Sequence, residues 1–210
     1  PGCGVEITKA NLVDAVAKSS TSICYRSDKA GLGLDDLMYG NKDRSIAVPN
    51  MWESFANALM NEFKTTAKRT VINVGNSKGV AKTLLGNDID YIIHYSKWAA
   101  VNLDKVTCVI NTGDTASLES FPGTKTMAEV APNFAIKTFY DVWFIVTNPK
   151  SDADLQNMRK WFKKARSQKH FSNNFKAKAL EVIDVSFSDA LKIANKAVGD
   201  IKMFEKNKTK

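Results

Sequence analysis

The sequence predicts an α/β protein, on three observations. Apolar runs of strand length alternate with segments whose apolar residues recur at helical spacing, the order that a mainly parallel sheet with covering helices requires. The composition is that of a globular chain, 44% hydrophobic and 25% charged. The 210 residues are enough for one well-buried core or two small lobes, and length alone does not choose between them.

The elements are expected in the following order. Leu12, Val13, Val16 and Ala17 suggest a helix over residues 8–18, followed by a strand over residues 21–25. Gly31 and Gly33 break the chain before a short helix at residues 34–39. Next come a strand at 45–48, a helix from 51 to 64 and a strand at 69–74. A helix then ends in Leu84-Leu85-Gly86, and the run from Asp88 to His94 reads as a strand leading into a helix that carries Trp98. Val106 to Ile110 form an apolar strand, and three longer elements finish the chain: a strand at 138–146 and helices at 153–167 and 187–204. No internal repeat or low-complexity linker interrupts this order.

Several function classes are excluded or disfavoured. No apolar run approaches the roughly 18 residues of a membrane-spanning helix. Cys3, Cys24 and Cys108 lack a C-x-x-C spacing; three buried or free thiols is the preferred reading, with one disulfide in an oxidising compartment as the alternative. The chain opens at Pro1 without a charged-then-apolar targeting segment, so its start is expected to be processed, trimmed or internal to a longer protein, and a removed signal peptide would leave no trace. The net charge of +8 concentrates between Arg159 and Lys178 and again from Lys202 to Lys210. At helical spacing, Leu155, Met158, Phe162 and Ala165 share one face, while Lys160, Lys163, Lys164 and Arg166 fall largely on others. That is the pattern of a solvated helix face. No aromatic-and-glycine recognition motif accompanies the lysines, so a sequence-specific nucleic-acid partner is not expected.

The starts of helices are the places where ligand chemistry can sit, because free backbone N–H groups and the positive helix end point there. At Pro49-Asn50-Met51-Trp52-Glu53-Ser54 the chain leaves a strand and enters a helix. A carboxylate can bind at such a turn through Asn50 and Ser54, although Pro49 removes a donor and Asn50 is equally readable as a plain helix cap. The second start is Gly75-Asn76-Ser77-Lys78-Gly79. Here Asn76 and Ser77 can cap or donate, Lys78 supplies a positive charge and Gly79 permits close backbone approach. A phosphate-binding loop needs Gly-x-x-x-x-Gly-Lys-Ser/Thr, whereas Ala81 precedes Lys82-Thr83, so nucleotide hydrolysis is set aside. Tyr95 is placed at the end of a third strand, in the crevice where α/β folds bind ligands. His94 beside it reads either as a ligand-bonding residue or as a satisfied structural histidine, and His170, the only other histidine, lies far along the chain in a basic helical segment. No nucleophile with an arguable base and no metal signature is present, so neither an enzyme nor a cofactor is expected.

The order of pieces from Asn76 to Val130 carries a resemblance. The lysine-glycine turn, the helix ending in Leu84-Leu85-Gly86, the Asp88-Ile89-Asp90 strand, the strand from Val106 to Ile110 and the run Phe121-Pro122-Gly123-Thr124-Lys125-Thr126-Met127-Ala128-Glu129-Val130 follow one another as in the substrate-binding proteins of tripartite tricarboxylate transporters, which this chain resembles. Asn148-Pro149-Lys150 after the strand at 138–146, and the segment from Leu180 to Leu191 with Ser186 or Ser188 as a helix cap, extend the likeness. The resemblance implies a periplasmic-binding-protein-like fold with one complete α/β lobe at residues 28–137. Residues 1–27 and 138–210 would form a reduced first lobe that contains the crossing strands and lacks the opening glycine-rich βα units. Phe144 stands where the family tends to have glycine, which would narrow or fill the crevice beside the return strand.

What the resemblance implies for function is binding of a small carboxylate solute in the periplasm for transport or sensing, with Asn50, Ser54, Asn76, Ser77, Lys78, Gly79 and Tyr95 as the ligand-binding residues. A membrane transporter would be the partner. The alternative is a structural or interaction module derived from such a protein, meeting an acidic macromolecule through its basic face.

Overall fold

The computed structural model describes residues 7–114, 121–177 and 180–206. Cys3 and the chain's last four residues lie outside them. The strands are β1 (Leu12–Arg26), β2 (Arg44–Val48), β3 (Arg69–Asn73), β4 (Tyr91–Tyr95), β5 (Val106–Asn111), β6 (Lys125–Thr126), β7 (Tyr140–Val146) and β8 (Glu181–Val182). The helices are α1 (Leu34–Tyr39), α2 (Glu53–Met60), α3 (Ser77–Leu85), α4 (Ser96–Ala100), α5 (Met127–Val130), α6 (Asp152–Arg166), α7 (Lys169–Ala177) and α8 (Phe187–Lys206). The chain divides into two compact units, one of Pro1–Ser19 with Asp141–Met203, the other of Ser20–Tyr140 with Phe204 onward.

The larger unit is built on strands in the order β3-β2-β4-β1-β5-β6. β2 lies parallel to β3 and β4, and β5 parallel to β6, but β1 runs antiparallel to both of its neighbours, β4 and β5. The sheet is therefore mixed rather than mainly parallel. β4 is buried over Tyr91, Ile92, Ile93 and His94, as expected of a strand covered on both faces, whose sequence reads as a near-continuous apolar run. Val80, Leu84, Ile92, Ala99 and Val106 share one core cluster with Cys24 and Cys108. Those two cysteines are direct cross-strand partners on β1 and β5 and form a disulfide. The expectation of three thiols is thus corrected, because the pairing of β1 with β5 brings side chains 84 residues apart into register.

Local chemistry accounts for the ends of elements. The run from Phe121 to Val130 works as a capping device: Thr126 Oγ1 accepts from Glu129 N, and the Glu129 carboxylate accepts from Thr126 N, a reciprocal pair that starts α5. At the amino ends of the parallel strands, Arg44 forks onto Asp36, and the Tyr91 hydroxyl donates to the same carboxylate. A shallow open depression of about 440 Å³ over residues 31–36 lies at this end, away from the strands' carboxyl ends.

β7 pairs with β1, and in the smaller unit Ala17 and Lys18 of β1 pair antiparallel with Val182 and Glu181 of β8. Residues 12–17 are strand, not the expected helix, and all six are buried. A strand enclosed on both faces shows no period-2 alternation, and the same apolar spacing also fits a helix. Asp14 is buried and held by Arg166, whose guanidinium donates to both Asp14 oxygens and to Asp184. Arg166 is accordingly no part of a solvated face. Arg159 likewise turns inward, donating to the carbonyls of Leu12 and Lys9 and stacking its guanidinium 3.6 Å from the Phe187 ring centroid. Lys160, Lys163 and Lys164 are exposed, as the helical spacing requires. Phe144 packs into the cluster of Leu12, Ala15, Ile183 and Ala190, so it fills core rather than crevice. Ser186 caps α8 by accepting from Asp189 N.

Candidate functional site

The carboxyl ends of β3, β2 and β4 are adjacent because the three strands are parallel neighbours. Each continues into a turn. After β2, a 3-10 turn over Asn50–Trp52 precedes α2; after β3, Val74-Gly75-Asn76 leads into α3; after β4, Tyr95 passes directly into α4. The first two turns are stitched together, since Val74 N donates to Val48 O at 3.1 Å and Asn50 N to Gly75 O at 3.2 Å. Gly75 adopts φ +85°, a left-handed conformation that glycine takes without penalty.

The turn after β2 uses most of its own donors. Pro49 has no N–H and holds the cap position without a side-chain bond, Asn50 N is taken by Gly75, Trp52 N donates to Pro49 O, and Glu53 N to Asn50 O. Asn50 is therefore inside the 3-10 turn rather than its cap, with its side chain exposed. Ser54 lies in the first turn of α2, half-buried, and among the described residues no hydrogen bond joins it to the other candidates. Glu53 adds an acid here, accepting from Asn73 Nδ2 at 2.9 Å.

The turn before α3 is different. Asn76 is the N-cap, its Oδ1 accepting from Gly79 N at 2.9 Å, and its carbonyl accepts from Val80 N. Asn76 and Gly79 thus have structural duties. A Cβ on Gly79 would lie 2.7 Å from the Val74 carbonyl oxygen, so this position demands glycine for close backbone approach. The N–H groups of Ser77 and Lys78 remain as first-turn donors at the positive helix end. Lys78 is exposed, and among the described residues no carboxylate stands within ion-pair distance of its ammonium.

Residues of β4 tie these turns to one corner. His94 Nε2 lies 2.9 Å from Ser77 O; since a carbonyl only accepts, Nε2 carries the proton and Nδ1 does not. Nδ1 is the one buried side-chain nitrogen or oxygen among the described residues without a hydrogen-bond partner. Burial holds the imidazole below its ordinary pKa, against the opposing effect of the Ser77 carbonyl, so it is neutral near pH 7. The Tyr95 ring meets Trp52 edge-on at 4.7 Å, and its hydroxyl faces Met51 Sδ at 3.9 Å. Asn50, Asn76, Ser77, Lys78, Gly79 and Tyr95 therefore share this corner, and Ser54 stands a turn away.

A polar cluster that the sequence reading did not single out lies under Tyr95. Ser96 Oγ contacts Ser20 Oγ at 2.8 Å and Ser22 Oγ at 2.9 Å, and Asn111 Nδ2 donates to both Ser22 and Ser96. Its signal was the run Ser19-Ser20-Thr21-Ser22 inside an otherwise apolar strand. Each hydroxyl is satisfied by the others, so the cluster fixes the turn from β4 into α4. Among the described residues no group of three or more His, Cys, Asp or Glu side chains is arranged to hold a metal ion.

No family model matches the sequence. No curated protein matches it either. Solved structures do. A TctC solute binding protein from Polaromonas matches 95% of this chain and 70% of its own length, at 14% identity and a TM-score of 0.69. Rpa4515 of R. palustris, solved with adipate, matches 93% of this chain and 67% of its own at 11% identity and TM-score 0.72. MatC from Rhodopseudomonas palustris, with bound malate, matches 93% and 68% at 13% identity and TM-score 0.64. Nearly all of this chain is accommodated, while about a third of each neighbour lies outside the match. The chain has the mixed α/β fold of the periplasmic binding proteins, in the form taken by the TctC-type solute-binding proteins.

Proposed function

We propose that this chain binds a small carboxylate at the corner where β2, β3 and β4 end, as part of solute capture for a membrane transporter. The observation that carries this reading is the first turn of α3. Two backbone donors, those of Ser77 and Lys78, stand at the positive end of a nine-residue helix beside an exposed ammonium that no carboxylate among the described residues neutralises, a combination that favours an anion. The Ser77 hydroxyl, Lys78 and the Tyr95 hydroxyl are the side chains proposed to touch the ligand. Asn50, Asn76, Gly79 and, more remotely, Ser54 shape the turns around it. Residues 28–137 act as the ligand-holding lobe on this reading.

Two further observations support it. Neighbours of the same fold were solved with adipate and with malate, and the Cys24–Cys108 disulfide suits an oxidising compartment such as the periplasm. The test is a thermal-shift and calorimetric screen of malate, adipate and citrate against the wild type and a Ser77→Ala, Lys78→Ala double variant. Ligand binding raises the melting temperature by mass action, by about 2.7 kcal/mol of stability at a hundredfold excess over Kd. Wild type should respond and the double variant should not. A flat response of the wild type at millimolar ligand, or equal responses from both proteins, rejects the site and favours a non-enzymatic interaction module.

A further inference from the structure

We propose that the outer flank of α6, centred on Trp161, docks on an anionic bilayer surface, with the indole and Met158 entering the headgroup layer and lysines meeting the lipid phosphates. Trp161 is 69% exposed and Met158 42%. At about 100° per residue, Leu155, Met158, Trp161, Phe162 and Ala165 form one continuous apolar arc of α6, and the Trp161 ring meets Phe162 edge-on at 5.9 Å. The core covers only one border of that arc. Leu155 is buried, and beside it Arg159 and Arg166 turn inward to Leu12 and Asp14. The arc is thus wider than its own unit uses, and the unused part carries the largest apolar side chain of the helix.

The charge around this arc has one sign. No acidic residue stands between Asp154 and Glu181, while Lys160, Lys163, Lys164 and Lys169 fall within that span. Lys160 and Lys164 are one turn apart on the solvent side of α6, and Lys164, three residues beyond Trp161, lies on the flank of the indole. Both are exposed, as is Lys169 at the start of α7. Among the described residues none of these three makes an ion pair. The acids of α6, Asp152 and Asp154, are confined to its first turn, about two turns before Trp161. Attraction to the negative helix end explains lysines in the last turn; it does not explain an exposed tryptophan.

A tryptophan at the border of an apolar arc, flanked by unpaired lysines, is the layout of a helix lying in a membrane interface. There the indole sits at headgroup depth and each lysine is attracted by anionic lipid. An acidic protein would be met by the lysines alone. A nucleic-acid strand stacks its bases on aromatics that line a groove, whereas Trp161 stands beside Met158 on the outward side of a single helix. One helix flank gives a weak, reversible association that fades as salt rises. This inference is independent of whether a carboxylate binds at α3.

The experiment measures co-sedimentation of the 210-residue chain with vesicles of phosphatidylcholine alone or mixed with phosphatidylglycerol, at low and moderate salt, together with tryptophan quenching by brominated lipid. The chain should bind the phosphatidylglycerol vesicles about tenfold or more tightly than the neutral ones, and less as salt rises. Trp161→Ala, and separately the pair Lys160→Glu with Lys164→Glu, should each weaken binding by about tenfold. Lys64→Glu with Lys105→Glu changes the net charge equally at exposed positions of the larger unit, and should weaken it by less than about threefold. Trp161→Phe should still bind but lose most of the quenching. The replaced side chains are exposed, so thermal melting should be unchanged throughout. Four results overturn the proposal: no binding to phosphatidylglycerol vesicles at about 1 mM lipid in low salt, undiminished binding by Trp161→Ala, equal losses from the two charge-reversed pairs, or tighter binding to polyglutamate or oligothymidylate than to the vesicles.

Discussion

Replacing Gly79 with alanine sets two known effects against each other at the start of α3. Alanine in a helix interior gains about 1 kcal/mol over glycine by propensity alone. The added Cβ, however, would stand 2.7 Å from the Val74 carbonyl oxygen, a backbone atom that cannot swing aside. That oxygen also accepts from Asn76 N at 3.1 Å, so moving it by the several tenths of an ångström required also stretches the turn that positions Ser77 and Lys78. Overpacking of this kind costs about 1–3 kcal/mol, and the net expectation is destabilisation by roughly 1 kcal/mol, or about 2–4 °C in Tm for a chain of this size. Gly199→Ala is the internal control, because its Cβ would meet no heavy atom within 4 Å inside α8; it should gain about 0.5–1 kcal/mol. Urea unfolding of both variants, with m compared to wild type, measures the pair. A Gly79→Ala protein as stable as wild type, or more so, refutes the steric argument and with it the geometry of the α3 turn.

Three other perturbations have defined outcomes. Burial works against the Asp36 charge, but bonds from Arg44 and Tyr91 outweigh it and hold the carboxyl below the usual range. Its contribution is therefore present above the ordinary carboxylate pKa and lost as pH falls through the folded value. Asp36→Asn should cost about 2–3 kcal/mol at neutral pH and flatten the acid limb of stability against pH; an acid limb identical to wild type contradicts the pairing. Arg166→Met leaves Asp14 buried without its partner and should cost about 3–5 kcal/mol. Burial already raises the Asp14 pKa in spite of Arg166, so the loss in that variant should shrink towards acid pH, where the carboxyl takes a proton; a pH-independent loss argues against it. Reduction of Cys24–Cys108, which spans 84 residues, should lower the urea midpoint by an amount equivalent to about 4 kcal/mol or somewhat more on the loop-entropy account. Equal midpoints with and without dithiothreitol would mean that the thiols are not joined.

Legibility of the fold from sequence followed the range of the interactions involved. α1 is placed at residues 34–39 as expected, and β2, β3 and β5 lie within a residue of their expected bounds, because glycines, a proline and flanking polar residues punctuate those segments locally. The first helix failed because its decisive contact is remote: Asp14 is buried against Arg166, 152 residues away. The apolar spacing of Leu12, Val13, Val16 and Ala17 fits a helix as well as a strand, and only the ion pair reveals a strand enclosed on both sides. The same contact removed Arg166 from the basic face to which spacing had assigned it. The disulfide was hidden for a related reason, since no rule of spacing links Cys24 to Cys108 until β1 and β5 are known to be neighbours in register.

The candidate site shows the same division between what a turn sequence announces and what the folded turn has left to offer. Both helix starts looked like anion sites, because each follows a strand and exposes backbone donors in principle. In the fold, the turn after β2 spends Asn50 N on Gly75, Trp52 N on Pro49 and Glu53 N on Asn50, and it brings the Glu53 carboxylate against Asn73. Unpaired donors, not helix starts as such, are what hold an anion, so the two turns are unequal. Any carboxylate bound here is oriented from the α3 side, by Ser77 and Lys78, while the β2 turn contributes buried Trp52, against which the Tyr95 ring packs, more than hydrogen bonds. Loss of Lys78 should therefore weaken carboxylate binding far more than loss of the Asn50 side chain, and the unequal response of those two positions follows from the hydrogen bond that joins the turns.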